Sequence, residues 1–471
     1  MLVEYWPHVL AAASIAAAVG STIHILLTKR DSRAAAAWVG LVWLSPIIGP
    51  ALYYLIGINR IRRRASAMRP HPLTVVTPRH SNAALDVGAG RRSFVDFVDR
   101  VTDEPLVPGN QVDVLCNGEE AYPAMLEAIA GATERITMCT YIFDRDRAGQ
   151  QFVDAFEKAV ARGVEVRVII DAVGARYSFP SIIRTLRKVG VKVARFSNAW
   201  WPWQMRYANL RTHRKILVVD DHIGFTGGMN VREGCLLELD LDAKHLTQDT
   251  HFRLRGPVVA QLNEVLAEDW EFCTRKKLPR TDHVEHEMGS VRCRSILDGP
   301  DMRLNPIHWT VIGGLAQAQE RVRIVTPYFV PDREIIAALN TASLRGVLVE
   351  IILPAKGNLR TVQWASTALL WQILEHGCRI FLAEPPFDHS KLMLVDNDWS
   401  FVGSANWDAR SFRLNFELNV ECHDEDLCSR LYELTDKKLA RAKEISLADV
   451  DGRSLPRRVR DNAARLLAPY L

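Results

Sequence analysis

The chain has 471 residues, a net charge of only +4, 48% hydrophobic residues and 24% charged ones. That length exceeds one ordinary core and calls for two domains plus an extra segment, while the composition excludes a largely disordered chain and the mild charge excludes a dedicated nucleic-acid binder. Eight scattered cysteines, none in a CxxC, give no zinc-site spacing; most sit in apolar runs such as ITMCTYIF and read as small core residues of a cytosolic domain.

Two uncharged stretches open the chain, VLAAASIAAAVGSTIHILL at 9–27 and AAAAWVGLVWLSPIIGPALYYLIGI at 34–58. A hydrocarbon core of about 30 Å takes roughly 20 helical residues, so each is long enough to span, and the short TKRDSR between them predicts a transmembrane helical hairpin. Tyr5, Trp6, Tyr53 and Tyr54 fall near the ends, where aromatic rings favour the headgroup region. A cleaved signal peptide fits poorly, because Glu4 stands where a basic cluster belongs and a second apolar run comes at once. A buried core helix is the other reading of the alanine-rich first run. Arg60, Arg62, Arg63 and Arg64 outnumber Lys29, Arg30 and Arg33 of the connecting loop, so positive-inside reasoning puts the remainder of the chain on the cytoplasmic side, with the arginine cluster drawn to anionic headgroups. The hairpin with its basic flank occupies 1–64, and a Pro-, Gly-, Ser- and Arg-rich linker at 65–110 holds one short helix around SFVDFVDRV.

Beyond the linker the sequence repeats. ERITMCTYIF (134–143) matches ERVRIVTPYF (320–329), RGVEVRVIID (162–171) matches RGVLVEIILP (345–354), and KVGVKVARF (188–196) answers EHGCRIFLA (375–383). HRKILVVD (213–220) then answers HSKLMLVD (389–396), and the order never changes, which marks an internal duplication. Within each unit short β-branched runs alternate with helical stretches, as QQFVDAFEKAVARG leads to VEVRVIID, so the predicted fold is two α/β halves with largely parallel sheets, at 111–285 and 286–471, packed with pseudo-twofold symmetry.

The last matched pair carries chemistry. HxKxxxxD occurs twice, as His213, Lys215 and Asp220 and as His389, Lys391 and Asp396. One copy is a weak signal, since a histidine before an apolar strand is usually structural; two copies at matched places in a duplication are not. A neutral imidazole can attack the phosphorus of a phosphodiester and hold it covalently, splitting one slow displacement into two. A second imidazole can protonate the leaving alkoxide and deprotonate the incoming hydroxyl, while ammonium and amide groups neutralise the phosphoryl oxygens. Asn230 in TGGMN and Asn406 in VGSANWD both follow their histidine by seventeen residues and, with Ser404, are candidate substrate-binding residues. Each imidazole needs a carboxylate on its other nitrogen to fix the tautomer; Glu417 in NFELN and Asp249 in QDTHF are the candidates, although no carboxylate follows the first motif at the spacing of Glu417. Asp220 and Asp396 complete the catalytic motif, and their blander reading is structural, holding its backbone.

HxKxxxxD twice, with GGxN after the first and GSANxDxRSFxxNFExN after the second, resembles the phospholipase D superfamily. SPIIGPALYYLIG, NGEEAYPAML, TYIFDRD and TPYFVPD are similar to bacterial cardiolipin synthases along almost the whole chain. The resemblance implies phosphatidyl transfer at the inner (plasma) membrane, with phosphatidylglycerol as donor and another phospholipid's headgroup hydroxyl as acceptor. His213 would then be the nucleophile and His389 the acid/base, an assignment the residues themselves leave open. It implies no metal and no cofactor, and phospholipids rather than nucleic acid as partners. Hydrolysis to phosphatidic acid on the same scaffold is the alternative. The tryptophan-rich SNAWWPWQMRY (197–207) reads equally as an acyl-chain seat, with Arg206 and Arg211 on phosphate, or as a core loop. PRRVRDNAARLLAPYL at the C-terminus reads as a basic amphipathic turn on anionic lipid or as a solvated tail, and TVQWASTALLWQILEHG as an altered acceptor site.

Overall fold

The computed structural model describes residues 2–29, 31–57, 89–102, 104–177, 180–196, 210–278, 287–300 and 305–468. The arginines at 60–64, most of the expected linker and the tryptophan-rich 197–207 lie outside the described residues. The chain forms two compact units, Met1–Arg64 and Ala65–Leu471.

In the first unit, α1 (Leu2–Thr28) is apolar enough over Tyr5–Thr28 to cross a membrane. The second apolar run differs from the single span expected of it. Asp31 caps α2 (Ser32–Leu44) by accepting from the N–H groups of Arg33 and Ala34, but thirteen residues at about 1.5 Å each fall well short of 30 Å. Pro46 ends it, because the proline ring drives Ser45 out of the helical region, to φ −137° and ψ 76°. The chain resumes as α3 (Ile48–Leu52) and a π turn to Gly57. Ala18, Ile25, Val42 and Tyr53 form the apolar contact among these pieces, and Trp43 Nε1 donates to Thr22 Oγ1 at 3.1 Å.

The second unit is built on one sixteen-stranded sheet. Its first half supplies β1 (Val107–Cys116), β2 (Arg135–Thr140), β3 (Glu165–Asp171), β4 (Lys192–Phe196), β5 (Ile216–Val219), β6 (Ile223–Gly227) and β7 (Thr250–Arg255). The second supplies β8 (Val291–Asp298), β9 (Arg321–Val325), β10 (Leu348–Pro354), β11 (Arg379–Ala383), β12 (Leu392–Val395), β13 (Trp399–Gly403), β14 (Asn415–His423) and β15 (Ala442–Ile445), and the two-residue strand Arg211–Thr212 beside β14 is the sixteenth. Outward from the middle, the order is β1-β7-β6-β5-β2-β3-β4 on one side and β8-β14-β13-β12-β9-β10-β11-β15 on the other, the same path twice with one added edge strand. The halves join where β1 meets β8 antiparallel, Val107 opposite Cys293 and Asn110 opposite Val291. The register shifts at Gly109, at φ +81°, and the buried Asn110 side chain fills the bulge by donating to the carbonyls of Val107 and Val291 and accepting from Val258 N.

The sheet is less parallel than the alternation of strands and helices suggested. Apart from the two-residue strand beside β14, only β2-β3-β4 and β9-β10-β11 run parallel, and every pairing along the path between those flanks is antiparallel. No helix separates β5 from β6; Asp220 and Asp221, at φ +48° and +61°, turn the chain back at once, and a tight turn can only join antiparallel strands.

Each half packs its own core. α5 (Arg147–Ala161) starts on an Asp146 cap and buries Phe152, Val153, Phe156 and Ala159; α6 (Arg333–Leu344) starts on an Asp332 cap and buries Ile335, Ile336, Leu339 and Ala342. The short helix expected within the linker is an element of the second half. α4 (Ala89–Val101) sets Phe94 edge-on to Trp399 at 5.3 Å, and Arg91 bonds Asp396 at 3.0 Å. It also brings Asp99 to Arg294, whose guanidinium is held on its other side by Glu421 at 2.6 Å, all three buried. Arg294→Met would leave two carboxylates buried without their cation, an expected loss of about 3–5 kcal/mol. This would be read as a lowered thermal midpoint of the detergent-solubilised full chain; an unchanged midpoint would contradict it.

Candidate active site

Each HxK sequence leads into a strand buried on both faces, ILVV in β5 and LMLV in β12. The histidine's own backbone is tied to the opposite half. His213 N donates to Phe416 O at 2.8 Å, and His389 N donates to Gln248 O at 2.7 Å. Two-residue parallel ladders frame these bonds, Arg211–Thr212 with Asn415–Phe416 and Phe387–Asp388 with Thr247–Gln248. Alternation along an extended chain sends His213 and Lys215 to one face and Arg214 to the other, where Arg214 pairs with buried Asp269 at 2.8 Å.

The carboxylates are exchanged between halves. His213 Nδ1 meets Glu417 Oε2 at 3.1 Å, and His389 Nδ1 meets Asp249 Oδ2 at 2.8 Å. Both of His213's Nδ1 neighbours, Glu417 and the carbonyl of Ser404 at 3.1 Å, are acceptors, so Nδ1 carries the proton and Nε2 keeps its lone pair. The rings lie 6.4 Å apart, centroid to centroid, at 81°.

Asp249 and Glu417 occupy equivalent rungs, since Gly227 pairs with His251 on β7 as Gly403 pairs with Asn419 on β14, and each carboxylate sits two residues earlier. The first half does have its counterpart of Glu417. A loop eight residues longer after Asn230, holding the largely exposed ELDLDAK, displaces it in sequence and not in space. The same comparison accounts for Gly228 opposite Ser404. A Cβ on Gly228 would lie 2.2 Å from Asp249 Oδ1, so no side chain fits beside the shorter carboxylate. Ser404, expected among the substrate-binding residues, is instead fully buried behind the site. Its hydroxyl donates to Glu417 Oε2 at 2.5 Å and accepts from Leu418 N, and the residue does not line the cavity.

Asp220 and Asp396 also lie away from the histidines. Seven residues of extended chain at about 3.3 Å each put roughly 20 Å between each histidine and its aspartate. Asp220 accepts from the backbone N–H groups of Thr133, Glu134 and Arg135, and Asp396 from those of Gln319, Glu320 and Arg321. Each pins the loop that enters the neighbouring strand, so the structural reading is the one the geometry supports.

The charges of the site are buried together. Desolvation lowers the pKa of His213, more than Glu417 beside it restores. His389 falls further, through burial and then the Lys391 and Lys215 ammonium groups. Burial takes Lys215 down to about 7 and Lys391 to about 8, and each ammonium donates to the carbonyl of its own histidine. The two carboxylates part company. Burial pushes Asp249 up to about 6, whereas for Glu417 the His213 charge and hydrogen bond and the Lys215 charge outweigh desolvation and hold it below its ordinary value.

A cavity of ≈ 610 Å³ opens over the two imidazoles, lined also by Asn230 and Asn406. Asn406 Oδ1 is buried without a partner among the described residues, while Asn230 Oδ1 is taken by Ile142 N at 3.0 Å. Three of the lining residues that the sequence did not single out stand beside the reacting groups. Tyr141 and Tyr328 set their rings 5.4 and 6.3 Å from His213 and His389, and Arg410 stands in the wall. Their signal lay in TYIF, TPYF and WDARSF, stretches that the duplication and the second motif had already marked. Among the described residues His308, Asp332 and Glu334 form the only grouping spaced to hold a metal ion, and none of them lines the cavity.

A family described as "Cardiolipin synthase, PLD-like domain" matches residues 125–270 and 311–438, and one described as "Phospholipase_D-nuclease N-terminal" matches 16–57. The chain is 34% identical to "Cardiolipin synthase A" of Pseudomonas aeruginosa (strain LESB58) over 464 residues, 96% of this chain and 93% of that one. It is 31% identical to "Cardiolipin synthase" of Geobacillus sp. (strain WCH70) over 457 residues, 95% and 91% of the two chains. Among solved structures, phosphatidylserine synthase of Haemophilus influenzae Rd KW20 superposes with a TM-score of 0.57 at 16% identity, covering 77% of this chain and 95% of that one, a likeness of fold.

Two outcomes test the site. Glu417→Gln and Asp249→Asn each remove an anion behind an imidazole and are expected to lower kcat by at least about 100-fold with the thermal midpoint retained; kcat within twofold of wild type in either would contradict the geometry. The free enzyme's kcat/KM is expected to fall as pH rises through about 7–8, where Lys215 and then Lys391 lose their charge. A profile flat to about pH 9 would show that those charges are not used.

Proposed function

The chain belongs to the cardiolipin synthase family of PLD-like proteins, and from that membership we propose that it is a phosphatidyltransferase, moving a phosphatidyl group from one phospholipid to the headgroup hydroxyl of another. The observation that carries the chemistry is two imidazoles facing one cavity, each backed by a carboxylate from the opposite half. His389 takes up a proton from solvent as the anionic phosphodiester enters beside it; His213 Nε2 then attacks phosphorus, the N–P bond forms, the bond to the leaving alcohol breaks, and His389 gives that alcohol its proton. The acceptor hydroxyl then returns a proton to His389 as its oxygen displaces His213 from phosphorus. The assignment of His213 as nucleophile is supported by Glu417, which is held below its ordinary value and so stays anionic and strengthens the imidazole it backs. Lys215, Lys391, Asn230 and Asn406 surround the reacting phosphoryl oxygens. The donor is phosphatidylglycerol, glycerol leaves, and a four-chain lipid is the product.

The setting belongs to the same proposal. Residues 9–27 and 34–58 pass the plasma membrane twice, the second pass broken at Pro46, and the halves at 111–285 and 286–471 work from the cytoplasmic side. The length and apolarity of Tyr5–Thr28 and the family match at 16–57 support this. The test is to reconstitute the purified full chain in vesicles of phosphatidylglycerol labelled in its headgroup glycerol. Glycerol release matched mole for mole by a four-chain lipid is expected, with both lost in His213→Ala. Phosphatidic acid as sole product would overturn transfer, and full turnover by His213→Ala would overturn the covalent route.

A further inference from the structure

The two halves follow one backbone path, yet the cavity wall breaks the symmetry at two positions. Two residues before each histidine stands Arg211 in the first half and Phe387 in the second; four residues after each asparagine stands Gly234 in the first and Arg410 in the second. Both breaks place a guanidinium on the His213 side of the cavity. There Arg211 pairs through its backbone with Asn415, and Arg410 lies close enough that burial and then the Arg211 charge lower its pKa. Arg232, which also lines the cavity, is already matched by Asp144 at 3.3 Å.

Neither Arg211 nor Arg410 has a hydrogen-bonded or ion-paired side-chain partner among the described residues, although both are half-buried. The nearby carboxylates are spent on backbone. Asp171 accepts from the N–H groups of Val173, Gly174 and Thr212 at 2.8, 3.1 and 3.0 Å, and Asp408 accepts from Ser411 N at 2.7 Å. Asp171 and Asp408 lie within electrostatic reach of the two arginines but make no hydrogen bond to either guanidinium, so both forks stay open toward the cavity, and that fork suits a phosphodiester.

In the proposed transfer the reacting phosphate is met by the two imidazoles and two asparagines that line the cavity. We infer that Arg211 and Arg410 form a separate subsite for a second phosphodiester that does not react, the one carried by the acceptor phospholipid. The inference rests on the phosphatidyl-transfer reading. Residues two apart in extended chain lie about 6.5 Å from each other, so Arg211 is within reach of a phosphate joined by a short polyol to a hydroxyl at the His213–His389 centre. The subsite selects an anionic phospholipid as acceptor over water and uncharged alcohols, and Phe387, where a second arginine would stand, gives the opposite side no such grip.

The test compares two reactions of the full chain in phosphatidylglycerol vesicles, formation of the four-chain lipid and exchange of labelled free glycerol into phosphatidylglycerol. Exchange reverses the first displacement and involves one phosphodiester. Arg410→Gln and Arg211→Gln are expected to lower the ratio of transfer to exchange at least tenfold and to raise the KM for acceptor phosphatidylglycerol, with Arg410→Lys restoring part of the ratio. Folding is followed by thermal midpoint, and because the readout is a ratio, partial loss of folded protein cancels. Equal falls in both reactions, or an unchanged ratio, would overturn the subsite. Wild type that forms no four-chain lipid would instead overturn the underlying reading.

Discussion

The exchange of carboxylates between halves is the constraint on which the site depends. Glu417 comes from β14 and holds the histidine before β5; Asp249 comes from beside β7 and holds the histidine before β12. Neither half contains an oriented imidazole of its own, so the duplicated unit has a site only when both copies are folded and joined. The β1–β8 seam, the Asn110-filled bulge and the two short ladders flanking the histidines fix that join to within a hydrogen bond. Such precision suits an in-line displacement, where one nitrogen must reach phosphorus while the other reaches the oxygen on its opposite side.

A symmetric scaffold then carries asymmetric charge. Lengthening one carboxylate by a methylene, from Asp249 to Glu417, goes with a serine in place of Gly228 and a hydroxyl that stiffens the longer side chain. The electrostatic consequence is a carboxylate held anionic behind His213 and one raised to about 6 behind His389. Identical halves would give two equal imidazoles, whereas a ping-pong transfer needs one that attacks and one that shuttles a proton. The arginine pair on one side of the cavity, its guanidinium groups free of hydrogen bonds among the described residues, is a second departure of the same kind, aimed at substrate instead of at the histidines.

The motif aspartates show how a catalytic signature can be partly scaffold. Asp220 and Asp396 gather backbone N–H groups about 20 Å from the imidazoles along the strand. They set where each HxK strand ends and so where its histidine begins. Helix α4 acts alike from outside the repeat, with Arg91 reaching Asp396 and Asp99 reaching Arg294.

Much of this was legible in the residues alone. The apolar runs, the duplication, both HxK pairs, the asparagines at equal spacing and the two candidate carboxylates are all local patterns, and local patterns survive in a linear sequence. What the residues could not state was which carboxylate faces which histidine, because pairing across a pseudo-twofold axis leaves no mark on spacing. The eight extra residues before Asp249 hid its equivalence to Glu417, since loop length is free to vary while strand register is not. Ser404 looked like a ligand contact until its burial showed both of its hydrogen bonds spent on Glu417 and Leu418. The largely antiparallel centre of the sheet went unseen because a periodicity of two marks a strand without giving its direction. Sequence by itself marked the histidines, asparagines and carboxylates that gather at the cavity; the tertiary structure decided how they are paired, because direction, register and exchange between halves are properties of contacts far apart in the chain.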